Sequence, residues 1–214
     1  MLPSGLLEDA PPLSDTGSGS PPPERAAPEE DDRGRGPTSF DPARFGLLAF
    51  LGSVSMLFVG FTSSLMLRRL SADWQPLTAP GLLYFNTLAL AASSACLEAA
   101  RRRVRSSEMT GTRGLVYVTF ALGLVFVGGQ FLAWRSLAAQ GIYLSTNPSS
   151  SFFYMLTGIH LLHLAGGLVW LAVLATRVRR MAIVPGTDAL GLFALYWHFL
   201  GLLWLYLLVV LFVI

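Results

Sequence analysis

Three histidines stand where ionisable groups are costly, inside long apolar runs: His160, His163 and His198. Polar side chains at lipid depth are functional candidates by default. His160 and His163 are three apart, a spacing that puts them on one side of a helix, and His198 follows on a later run. Such a set has two readings. Two imidazoles on facing helices could ligate a haem or a metal, making the chain a bis-histidine electron carrier. Alternatively each imidazole makes hydrogen bonds between helices, the reading the rest of the sequence favours. A haem–copper catalytic centre needs more histidines than three, so this chain by itself holds none. No nucleophile–base pair, Gly-rich phosphate loop or zinc-spaced Cys/His set accompanies them. The single Cys96 forms no internal disulfide and reads as a small buried hydrophobe. Glu98 is the one acid inside a run, a turn from the arginine cluster, and is expected to pair with Arg101 or Arg102 at the interface.

The elements that must position these residues are membrane helices. Of 214 residues 53% are hydrophobic and 13% charged, about half the charge of a soluble domain. Apolar runs cover about 46–66, 81–100, 115–138, 151–175 and 190–213. Each approaches or exceeds the roughly 20 residues a helix needs to cross the hydrocarbon core, where all backbone polar groups must pair internally. The expected fold is all-α, a polytopic bundle of five transmembrane helices. Residues 1–42 form a tail rich in Pro, Gly, Ser and acids, with no basic segment leading into an apolar one. It is expected to be a disordered cytoplasmic extension, and residues 43–214 the membrane domain.

All fifteen basic residues are arginine. Arg101, Arg102, Arg103, Arg105 and Arg113 follow the second run, and Arg177, Arg179 and Arg180 follow the fourth. The opposite side has Arg68, Arg69 and Arg135. The positive-inside rule places the N-terminus in the cytoplasm and the C-terminus outside. Juxtamembrane arginine of this kind gives no reason to expect a nucleic-acid partner. With no inverted repeat and no Pro in the core of a run, a transporter is disfavoured.

Small and polar residues recur at helical spacing: Asn86, Leu90, Ser93 and Leu97; Gly123, Gln130 and Trp134; Thr157, His160, Leu164 and Gly167; Trp197, Gly201 and Trp204. Small residues let helices approach closely, and polar ones bond across them. These stripes are expected to be helix contacts.

The same residues resemble a known family. Ser151-Phe152-Phe153, then Thr157-Gly158-Ile159-His160-Leu161-Leu162-His163 through Gly166-Gly167, are similar to the fourth helix of the five-helix bacterial form of haem–copper oxidase subunit III. Tyr196-Trp197-His198-Phe199 with Trp204-Leu205 resembles its last helix. Leu82-Leu83-Tyr84-Phe85-Asn86-Thr87 with Ser93-Ser94, Ser53 to Phe58, and Gln130 to Trp134 resemble its other three, in matching order over about residues 43–214. The resemblance implies a non-catalytic subunit in a bacterial inner (cytoplasmic) membrane. It would pack on oxidase subunit I and other respiratory subunits, bind phospholipids, and support proton uptake and complex stability in aerobic electron transport. Haem and copper would sit in subunit I, with no cofactor in this chain. Asn86, Thr87, Gln130, Trp134, Thr157, His160, His163, Gly167, Trp197, His198 and Trp204 become candidates for packing or for a lipid cleft. A nitric oxide reductase-associated subunit of the same family is the alternative. The departures are Val54, Ala133 and Gly201, which stand where the family usually has carboxylates and place a direct proton role in doubt.

Overall fold

The computed structural model describes residues 41–72, 74–75, 77, 80–106, 111–179 and 189–213. The expectation of a disordered tail falls almost wholly outside them. Five helices follow in order: α1 (Pro42–Arg68), α2 (Leu82–Arg105), α3 (Thr112–Ala139), α4 (Pro148–Arg179) and α5 (Ala189–Phe212). Among the described residues there is no strand. All five helices are long and apolar enough to cross a membrane. The shortest, at 24 residues, reach about 36 Å, against a hydrocarbon core of about 30 Å.

The helices α1 and α4 begin ahead of their apolar runs because polar caps extend them. Asp41 opens α1, its carboxylate accepting from the amides of Ala43 (3.1 Å) and Arg44 (3.4 Å), with Pro42 at the first helical position. Asn147 opens α4 in the same way, its Oδ1 accepting from Ser150 N at 2.8 Å ahead of Pro148. At the end of α3, Gly141 takes φ +77°. Its amide bonds Ala138 O, and that of Ile142 bonds Leu137 O, both at 3.0 Å. This is a Schellman closure, which needs the left-handed residue glycine tolerates.

α2, α3, α4 and α5 form a closed ring of four, each packed on the next and α5 returning to α2. α1 lies outside it, touching α4 and α5. The core runs down the ring's axis through Phe126, Phe153, Phe193, Trp197 and Trp204, all buried. Outward faces are apolar too, as at Met56, Leu88, Leu162 and Leu202. Lipid tails solvate such faces as well as a core does, so contact between helices rests on close packing and hydrogen bonds.

Arg69 ties α1 to the ring. Its Nη2 donates to Val210 O and Leu211 O, both at 3.2 Å, and its guanidinium lies over Trp74 at 5.3 Å. A cation thereby meets the negative end of the α5 dipole and its unpaired carbonyls. Arg69→Ala is expected to cost about 1–2 kcal/mol, read as a lower Tm in detergent and faster proteolysis between α1 and α2.

Candidate functional site

The sequence stripes converge inside the four-helix ring. Asn86, Ser93, Thr119, Gln130, Thr157 and His160 are buried there, each at most 1% exposed. Nearly every hydroxyl on this seam takes part in a bond between helices. Trp134 Nε1 of α3 donates to Thr157 Oγ1 of α4 at 3.1 Å. Two indoles of α5 reach α2: Trp197 Nε1 donates to Ser93 Oγ and Trp204 Nε1 to Thr87 Oγ1, each at 3.0 Å. The accepting hydroxyls in turn donate to carbonyls one turn back, Thr157 to Phe153 O, Ser93 to Leu90 O and Thr87 to Leu83 O. An indole N–H has no acceptor role and a hydroxyl has both, so each pair satisfies itself at lipid depth.

The remaining ring contacts are closed differently. Asn86 Nδ2 of α2 reaches Gln130 Oε1 of α3 at 3.5 Å, a long bond. Between α4 and α5, Tyr196 OH donates to His163 O at 2.7 Å. Gly167 lies under the rings of Tyr196 and Trp197, where an added Cβ would come to 2.9 Å of Tyr196 Cε1. Each pair of ring neighbours thus has a polar tie, and seven of the sequence candidates make the three indole bonds and the amide pair. Sequence reasoning gave too little weight to Ser93 and Tyr196 and missed Gly129. A Cβ at Gly129 would overlap Asn86 Oδ1. The Gly128-Gly129 pair beside Gln130 was the available signal.

The three histidines do not converge. His160 points into the ring, its imidazole edge-on to Phe126 (5.9 Å) and tilted against Trp204 (5.3 Å). His163 faces α1, against Phe50 and Phe58 at 6.2 Å each, with Nδ1 2.8 Å from Ile159 O. Three residues of separation, about 60° of helix rotation short of a full turn, suffice to send the two rings to different neighbours. His198 lies half-buried at the α2–α5 surface, Nε2 4.0 Å from Glu98 Oε2. Glu98 accepts from both candidate partners, Arg101 Nε at 2.9 Å and Arg102 Nε at 3.1 Å, where one or the other was expected. Among the described residues no group of three or more His, Cys, Asp or Glu is placed to hold a metal ion.

The three positions where carboxylates were expected differ in setting. Val54 (4% exposed) and Ala133 (0%) point into the protein, so a carboxylate at either would be enclosed by apolar neighbours. Gly201 lines a groove of about 290 Å³ between α2 and α5, with Thr87, Ser94 and His198. The groove wall is mostly aliphatic, closed on its inner side by Trp204.

Comparison with known proteins gives the family. Residues 37–214 fit the family model for cytochrome c oxidase subunit III. The chain is 32% identical over 175 residues to "Cytochrome c oxidase subunit 3" of Thermostichus vulcanus, covering 79% of this chain and 86% of the relative. It is 30% identical over 177 residues to the protein of that name from Synechocystis sp., covering 79% and 75%. It is also 30% identical over 175 residues to "Probable cytochrome c oxidase subunit 3" of Mycobacterium tuberculosis H37Rv, covering 79% and 86%. With the family model spanning the whole five-helix bundle, the chain belongs to the cytochrome c oxidase subunit III family.

Proposed function

We propose that this chain is the accessory subunit III of a respiratory haem–copper terminal oxidase in a bacterial cytoplasmic membrane, without catalytic residues of its own. The observation that carries the reading is the self-contained ring. Its indoles and hydroxyls bond to one another and to backbone carbonyls, and among the described residues no acid lies in its interior. Such a bundle offers rigidity and lipid-compatible surface rather than a reaction site. The redox centres belong to subunit I, against which an apolar outer face of the bundle packs. The groove at Gly201 suits an acyl chain by its volume and aliphatic lining, and a phospholipid there is part of the proposal. Support for proton uptake and sustained turnover follows from holding subunit I and its lipids in place. A relay through this chain is disfavoured, since Val54 and Ala133 carry no proton. The orientation has the Arg101–Arg113 and Arg177–Arg180 loops in the cytoplasm.

The test is purification in mild detergent from native membranes through a tag on this chain. A large haem-bearing subunit is expected to co-purify, with an oxidase reduced-minus-oxidised spectrum, and the isolated chain is expected to show no Soret band. Recovery of a haem-free homo-oligomer, or of a nitric oxide reductase, would remove the proposal.

A further inference from the structure

His160 is the largest departure from the self-satisfaction of the ring. It is 0% exposed, and neither Nδ1 nor Nε2 has a hydrogen-bond partner in the protein. A neutral imidazole carries one donor and one acceptor, so both kinds of capacity are open. Two more buried atoms are open, Asn86 Oδ1 on α2 across the ring and Gln130 Nε2 on the adjoining α3, again one acceptor and one donor. The contacts of His160 lead to both. Phe126, edge-on to the imidazole, lies one turn before Gln130 on α3. Trp204, which packs on both the imidazole and Phe126, bonds Thr87, the residue after Asn86 on α2.

The hydroxyls along the seam cannot fill the gap. Thr87 and Thr157 each already accept from an indole and donate to a carbonyl. His163, one turn on, uses the carbonyl of Ile159. His160 is turned away from its own helix toward α3 and α5 and makes no such bond. Two unpaired donors and two unpaired acceptors inside one buried four-helix ring are complementary to one kind of small molecule, which both donates and accepts twice.

We propose that the four-helix core is a hydration site: internal water bonded to the His160 imidazole and shared with the Asn86–Gln130 amide pair. Buried waters in proteins make two to four hydrogen bonds to polar groups that otherwise have none. This site offers that number at a depth where bulk water is absent. His160 is thereby the group that keeps water inside an otherwise apolar bundle. The inference stands apart from the oxidase assignment, since it concerns the interior of the chain whatever its partner.

The test uses the full chain, isotope-labelled at histidine and reconstituted in bilayers. Water-edited solid-state NMR is expected to show polarisation transfer from slowly exchanging water to a His160 ring nitrogen. A folded sample whose His160 nitrogens show no water contact, or show a direct protein partner, overturns the proposal. His160→Phe gives a second reading of opposite sign in the two cases. With water present, the variant strands Asn86 and Gln130 and lowers Tm by about 2–4 °C or more. With a dry imidazole, it replaces two unpaired nitrogens by a ring suited to Phe126 and Trp204, and Tm rises. A rise in Tm is therefore also a refutation, and the NMR contact decides the question if the variant does not fold.

Discussion

Gly129→Val is expected to separate α2 from α3 and leave little folded protein. The glycine Cα lies so close to α2 that any Cβ would overlap Asn86 Oδ1 outright and come to 2.9 Å of its Cγ. Asn86 is 0% exposed, so its side chain moves aside only by disturbing buried neighbours. Its displacement also breaks the amide bond to Gln130. Overpacking costs about 1–3 kcal/mol and stranding a buried amide about 1–3 kcal/mol more. Together these reach a sizeable part of the roughly 5–15 kcal/mol typical of a whole domain. The measurement is yield and Tm of the tagged variant in mild detergent. Gly128→Val is the control, since a Cβ at Gly128 meets nothing within 4 Å, and it is expected to behave like the parent. Equal behaviour of the two variants would show that α2 and α3 are not in this register.

Trp197→Ala is the second large effect. Trp197 is fully buried and joins three helices. Its N–H bonds Ser93 of α2, while its ring fills the space left by Gly123 of α3 and Gly167 of α4. Removing it leaves a void lined by groups with nothing to touch. At about 24 cal/mol per Å³ over a side-chain difference of about 140 Å³, the cavity alone costs about 3 kcal/mol. That share persists in lipid, because it reflects lost van der Waals contact rather than transfer from water. Trp197→Phe keeps most of the ring and loses the bond to Ser93, which retains Leu90 O as its own acceptor; a cost of about 1 kcal/mol is expected. Ser93→Ala is expected to cost more, about 1–3 kcal/mol, because it leaves a buried indole N–H unpaired. Thermal unfolding checks the order of damage, Trp197→Ala the largest, then Ser93→Ala, then Trp197→Phe. If Trp197→Phe proved as damaging as Trp197→Ala, the hydrogen bond rather than the ring would hold the bundle.

Five runs of apolar residues in one chain leave few alternatives to five helices, and the stripe spacings mark an inward face on four of them, α2 to α5. Asn86, Leu90, Ser93 and Leu97 are all buried, as are Thr157, His160, Leu164 and Gly167. Helical periodicity is a local property, so local sequence carries it. The ends were less legible. Asp41-Pro42 and Asn147-Pro148 are capping signals outside the apolar runs, and they set α1 and α4 several residues longer than hydropathy alone does. Which hydroxyl meets which indole was not legible either. Thr87 and Ser93 lie on neighbouring strips of α2, and both serve α5, through residues seven apart.

From the sequence by itself came the solvent of this protein, the number of its helices, the inward faces of four of them and the family they resemble. These follow from composition and from a period of about 3.6 residues. The tertiary structure decided what no spacing encodes: that α1 stands outside a ring of four, that the three histidines part company, and that Gly129 rather than a more conspicuous polar residue sets the α2–α3 distance. The reason is that a helix face is about 100° wide and admits several neighbours. His160 and His163 share a side of α4 by spacing, yet one ring meets α3 and α5 and the other meets α1. Partner choice depends on where a glycine lets a backbone come close, and that is a property of two helices at once.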